Sequence, residues 1–207
     1  VLFNGSFNSD LSEYNIQKIL LHIMIYIPDL LSFSISSCDN LKDSILQYIM
    51  FVISNLFKIK VISFESCKVR DEKVKVITTN IKDNKSIEEL ILKKNNIGSA
   101  GGLYISDFLN TNKSRRQLIL GNNKIIDNGL KSLFKIMSES NKNIIKLDLS
   151  YNSFGINEFN VLIEYFKTKP ILNSLDISGN KLDLKSSVNL GAILSSIKNI
   201  KSINMSN

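Results

Sequence analysis

Residues 144–154 read Ile-Ile-Lys-Leu-Asp-Leu-Ser-Tyr-Asn-Ser-Phe, and the spacing inside this stretch decides the fold. After Ile144, apolar residues follow at Leu147 and Leu149, an amide at Asn152 and a further apolar residue at Phe154. Leu147 and Leu149 flank Asp148, the alternation of a short strand with one face in a core. Asn152 falls just beyond, where a side-chain amide can satisfy turn backbone groups that no ladder bond reaches. The same spacing returns at Ile87, Leu90, Leu92, Asn95 and Ile97, and at Leu172, Leu175, Ile177, Asn180 and Leu182.

Outward from these copies the pattern covers most of the chain. Ile59, Ile62, Phe64, Cys67 and Val69 form one copy, and Leu30, Phe33, Ile35 and Cys38 open an earlier one. Leu118, Leu120, Asn123 and Ile125 form another, with Arg115 in the aliphatic slot, its stem expected along the core edge and its guanidinium in water. Ile200, Ile203 and Met205 begin a last copy, and Val1 with Phe3 reads as a degraded first one. The Asn or Cys positions fall at 38, 67, 95, 123, 152 and 180, in steps of 29, 28, 28, 29 and 28. A constant step of this length means stacked repeats, each a unit that cannot bury its apolar face alone.

Between the strands lie helical halves. In 127–140, Leu130, Leu133, Phe134 and Met137 make one apolar stripe, and Asp127 and Asn128 offer capping oxygens. Segments 14–27, 42–55, 71–82, 99–110, 157–167 and 185–196 read similarly. Helical connections between consecutive strands make all strands parallel. The expected fold is an α/β solenoid of seven to eight repeats, a horseshoe with strands on its concave face and helices on its convex face.

The LxxLxLxxN pattern resembles the leucine-rich-repeat family, and the step length resembles its ribonuclease-inhibitor-like subclass, over residues 30–207. That resemblance implies a protein-interaction scaffold. The same subclass includes the GTPase-activating protein for Ran, so action on a small GTPase is a second implied reading. A sensor domain within a larger multidomain protein is a third. The chain is read as one repeat domain spanning 1–207, a segment of a longer protein because the last copy is cut short.

Composition narrows the chemistry. The 207 residues include 43% hydrophobic and 22% charged, ordinary for a globular protein. The net charge of +7 admits an acidic partner or nucleic acid. However, the chain is dense in Lys, Asn and Ile, which AT-rich codons supply, and no aromatic residues interleave with the basic ones for base stacking. Sequence-specific nucleic-acid binding is therefore not expected. Two cysteines are too few for a disulfide framework, which points to a reducing, cytoplasmic compartment. Cys38 and Cys67 share the slot of Asn95, so packing explains them. The apolar runs 19–27 and 45–57 fall short of the ~20 residues a membrane span needs.

No catalytic set emerges, and no cofactor or metal is expected. His22 is the sole histidine and lies on an apolar helical segment. Gly98, Gly101 and Gly102 lack the Lys-Ser or Lys-Thr of a phosphate loop, so they read as turn and packing residues. Asp148 and Asp176 share one slot but no third catalytic group accompanies them. What remains is the concave face, where the central slot runs Ser34, Ser63, Ile91, Ile119, Asp148, Asp176 and Asn204. Exposed Ile91 and Ile119 beside Lys93, Lys94 and Arg116, then Asp148 and Asp176 beside Tyr151, form an apolar centre rimmed by opposite charges. Asn122 and Lys146 complete this candidate protein-binding set. A second surface is expected on the first two helices. Met24, Tyr48, Phe51 and Val52 point outward or sideways there, against a second copy, another subunit or a further segment of the chain.

Overall fold

The computed structural model describes residues 2–5, 13–39, 41–114, 116–168, 170–181, 183–195, 197 and 199–206. Val1, Arg115 and Leu182 lie outside the described residues, and with them the reading of Arg115. Strands β1 (Leu2–Gly5), β2 (Ser32–Ser36), β3 (Val61–Glu65), β4 (Glu89–Ile91), β5 (Gln117–Ile119), β6 (Lys146–Asp148), β7 (Ser174–Asp176) and β8 (Ser202–Asn204) form one parallel sheet in chain order. Between them run α1 (Glu13–Tyr26), α2 (Asp43–Ser54), α3 (Asp71–Ile81), α4 (Ser99–Thr111), α5 (Asp127–Glu139), α6 (Ile156–Lys167) and α7 (Leu184–Leu194). Each helix packs on the next, so all seven line one side of the sheet and leave the other free. The fold is an α/β repeat solenoid. No described helix is long and apolar enough to cross a membrane.

Register follows the sequence pattern. Leu90, Leu118, Leu147 and Leu175 pair in line, and all are buried with Leu92, Leu120 and Leu149. Phe3 pairs with Phe33 and Gly5 with Ile35. The first strand thus joins the stack in register, with Phe3 at the position of Phe33, while Val1 lies outside the described residues. The α5 stripe of Leu130, Leu133, Phe134 and Met137 is buried as its spacing requires.

Two asparagine ladders tie the repeats together. Asn95 Oδ1 accepts the N–H groups of Cys67 and Val69, both at 3.0 Å, and its Nδ2 donates to the Phe64 and Leu92 carbonyls. Asn180 likewise accepts two N–H groups, of Asn152 and Phe154, while Asn123 and Asn152 each accept one, of Ile97 and Ile125; all three donate to carbonyls of their own and the preceding repeat. In the Cys slot, the Cys67 thiol donates to the Ile35 and Glu65 carbonyls at 3.4 and 3.3 Å. The second ladder was not foreseen: Asn84, Asn112 and Asn141 stand where each helix returns to the next strand. Asn112 Nδ2 donates to the Asn84 carbonyl, and Asn141 Nδ2 to the Asn112 carbonyl. Their steps of 28 and 29 match those of the first ladder, displaced by 11 residues along the chain.

Capping also crosses between repeats. Neither Asp127 nor Asn128 caps α5; the Asp127 N–H instead meets the Glu158 carboxylate of the next repeat at 3.4 Å, and Glu158 also accepts the Gly155 N–H of its own helix at 2.9 Å. Asp71 likewise accepts the Gly98 N–H at 2.7 Å. The glycines have the packing role expected of them. A Cβ at Gly102 would come 2.9 Å from the Gly129 Cα, and one at Gly129 would come 2.5 Å from the Ser99 carbonyl oxygen. The α4–α5 approach therefore requires bare backbone at both positions.

Cys38 and Cys67 are buried and unbridged. Burial is the main cause that pushes the Cys67 thiol up to about 11 from 9.0. Two outcomes follow. A thiol reagent should label the native protein far more slowly than the unfolded one. Because the folded state holds this proton more tightly, its contribution to stability is intact below about pH 9 and is lost as pH rises towards 11. Fast labelling of native protein at neutral pH would contradict both.

Candidate partner-binding face

The helix-free face is shaped by a backbone feature that recurs once per repeat. Ser37, Ser66, Lys94, Asn122, Tyr151 and Gly179 occupy equivalent positions after their strands, with φ of 54, 56, 55, 57, 51 and 65°. The left-handed region costs a non-glycine residue roughly 1–2 kcal/mol. It persists because each of these N–H groups donates to the next repeat, from Ser37 to the Glu65 carbonyl through to Tyr151 to the Ser178 carbonyl, and Gly179 to the Ser206 carbonyl. The side chains at this slot are thereby held in one direction. Tyr151 is the largest, 57% exposed, and its ring lies where a Cβ at Gly179 would stand, 2.4 Å from two ring carbons.

The charged residues of the candidate set are mostly paired within the chain. Lys93 reaches Asp148 at 3.2 Å, Lys94 reaches Glu65 at 2.9 Å and Arg116 lies 3.9 Å from Glu88, which also pairs with Lys60 at 2.8 Å. The Lys60 hydrogen bond is the main cause that holds the Glu88 carboxyl below its ordinary value. Asp148 accepts from the Ser150 N–H and hydroxyl, and Asp176 does the same from Ser178 while taking the Asn204 amide at 3.1 Å. Partial burial pushes the Asp176 carboxyl up, but these hydrogen bonds, helped by Lys93, outweigh it and hold it below its ordinary value. Lys146 is exposed and has no ion pair among the described residues.

Two expectations about this face need correction. Ile119 is 8% exposed and Asp148 7%, so neither is open to solvent. The cause is Gly121 and the neighbouring strands. A Cβ at Gly121 would meet the Asp148 carboxylate at 2.6 Å and the Ser150 hydroxyl at 2.5 Å, so those groups fill the space above it, and Lys93 closes over Asp148. Ile119 is flanked in register by Ile91 and Asp148 on strands about 4.8 Å away. Ile91 itself is half-buried, and Asp176 is partly covered. The accessible part of the candidate set is thus Lys94, Asn122, Tyr151, Lys146 and Arg116, with Ile91 between them.

Elsewhere, α1 and α2 carry the expected apolar outer surface in part. Phe51 is 53% exposed, while Tyr48 and Met24 are half-buried against the core edge. Val52, expected outward, is fully buried because α1 and α3 cover both flanks of α2. His22 is exposed on α1, its Nδ1 2.9 Å from the Lys18 carbonyl oxygen. Among the described residues, no group of three or more His, Cys, Asp or Glu could hold a metal ion.

A leucine-rich-repeat sequence profile matches residues 83–106. Repeat spacing and fold are those of a leucine-rich-repeat solenoid, and the profile match marks one repeat of that type within it. Among solved structures it is similar to leiomodin-1 actin-binding site 2, with a TM-score of 0.57, 16% identity, and 89% of each chain covered. It is also similar to the tropomodulin C-terminal domain of Caenorhabditis elegans, with a TM-score of 0.61 and 11% identity over 74% of this chain and 92% of that one. At these identities the likeness concerns the fold alone. No curated protein sequence matches the chain.

Proposed function

We propose that the chain is a protein-recognition module that takes a partner protein on the helix-free face of its sheet. The observation that carries this is Tyr151, a large exposed ring fixed by a left-handed backbone and the bare Gly179 beside it. An aromatic anchor already held in place loses little freedom on binding, and tyrosine is enriched among the residues that dominate interface energy. Lys94 and Asn122 project from the same slot of the two preceding repeats, with half-buried Ile91 inside them and unpaired Lys146 beside them. The self-satisfied carboxylates of Asp148 and Asp176 position this strip and do not themselves reach for a partner.

Actin is the first partner to try, because the leiomodin structure with this fold is an actin-binding site. Purified chain should co-migrate with monomeric actin or co-sediment with filaments, and Tyr151→Ala should weaken that binding by about tenfold or more. Equal binding by the Tyr151→Ala protein would remove this face from the reading. Failure of both actin forms would exclude actin, and affinity capture from cell extract, with Tyr151→Ala as control, then tests the face for any other protein.

A further inference from the structure

The basic excess is not centred on the sheet face, where most lysines are paired. It has a second location with repeat symmetry. Each of Asn84, Asn112 and Asn141 in the second ladder is followed directly by an exposed lysine: Lys85, Lys113 and Lys142. None of the three has an ion pair among the described residues, although exposed Asp83 stands two residues before Lys85. They lie where the helices end, on the edge formed by the turns into the next strands. Helix dipoles favour cations at such an edge, but the dipole does not select the same position in three successive repeats. The asparagine before each lysine, fully buried at Asn112 and Asn141 and half-buried at Asn84, is hydrogen-bonded to a backbone carbonyl of the preceding repeat and so fixes the local backbone; the three charges are presented in a row, one per repeat, about one strand spacing apart.

Apolar features bracket this row. One repeat earlier, 28 residues before Lys85, the same slot holds Phe57, which is 79% exposed. At the other end, beside Lys142, a hollow of about 160 Å³ opens between the C-terminal turns of α5 and α6, lined by Met137, Ile144, Pro170 and Ile171. A volume near 150 Å³ holds a benzene-sized group. Tyr165 also lines the hollow; it is 4% exposed, and its hydroxyl has no hydrogen-bond partner among the described residues. A buried hydroxyl left unbonded costs free energy that an incoming acceptor would recover.

We propose that this helix-end edge is a second recognition site, distinct from the sheet face, for an acidic segment of a partner protein. Its carboxylates lie along Lys85, Lys113 and Lys142, one apolar side chain rests on Phe57, and another enters the hollow where Tyr165 donates to the segment's backbone. Charge complementarity selects an acidic chain. The apolar ends favour a peptide over nucleic acid, since no aromatic side chain alternates with the three lysines to stack bases.

The test uses a fluorescein-labelled peptide with three glutamates, separated by glycines, between two leucines, read by fluorescence anisotropy. Binding should be saturable. Lys85→Glu/Lys113→Glu/Lys142→Glu should weaken it by about tenfold or more, and Phe57→Ser by several-fold. The control Lys124→Glu/Lys131→Glu/Lys135→Glu carries the same change in net charge on another part of the surface and should leave it within about twofold. Circular dichroism on both triple variants checks that the fold is kept. Tyr151→Ala should not alter peptide binding, which separates this site from the sheet face. Absence of saturable binding, equal loss in the two triple variants, or tighter binding of an oligothymidylate that the first triple abolishes would each overturn the proposal.

Discussion

Asn152→Ala should destabilise the protein by about 2–4 kcal/mol in urea unfolding. Asn152 is fully buried and its Oδ1 accepts the Ile125 N–H at 2.9 Å. Its Nδ2 donates to the carbonyls of Leu120, Leu149 and Ser150 at 3.0, 3.2 and 3.1 Å. Those carbonyls keep second partners: Asn123 still reaches Leu120, Asn180 still reaches Leu149, and the Asn122 N–H still reaches Ser150. The Ile125 N–H loses the acceptor it has. The cost is therefore one orphaned buried donor plus the space of an amide, and not the sum of four hydrogen bonds. Asn152→Cys provides the control, because Cys67 shows a thiol donating to the equivalent carbonyls in its own slot. The cysteine variant should lose less than the alanine variant. An alanine variant as stable as the parent would mean that water or a shifted backbone replaces the ladder at this position.

The contrast between the two ladders shows what the chain revealed before its structure was known. Asn95, Asn123, Asn152 and Asn180 were legible because they sit in phase with leucines whose alternation marks the strands. Asn84, Asn112 and Asn141 repeat as regularly, but they fall between the end of a helical pattern and the start of a strand pattern, so they pass for loop residues. Parallel pairing and helix positions followed from spacing alone. Side-chain exposure on the helix-free face did not, because it depends on residues in other repeats. Lys93 covers Asp148 from 55 positions away, and the missing side chain of Gly121 determines where that carboxylate rests. Local alternation says which face a residue occupies but not how its cross-strand neighbours close over it. Val52 failed for the same reason, since a helical wheel cannot include the helices on either flank.

Leu147→Ala should cost about 2–5 kcal/mol, the range for emptying a fully packed leucine site. Leu147 is buried between Leu118 on β5 and Leu175 on β7, and each of those strands is itself paired on its far side. In a stacked array, stability is close to a sum of repeat terms and nearest-neighbour interface terms. A cavity at Leu147 weakens one repeat and two interfaces together. Ile203 offers the comparison: it occupies the same slot on β8, pairs with Leu175 alone among the described residues, and is only half-buried. Ile203→Ala should cost about 1–2 kcal/mol, because part of the side chain is already in water and one interface is touched. Denaturant unfolding of both variants, followed by helical circular dichroism, measures the difference. If Ile203→Ala destabilises as much as Leu147→Ala, coupling through both neighbours is not what sets the cost, and the stability of the central repeats must come from within each repeat.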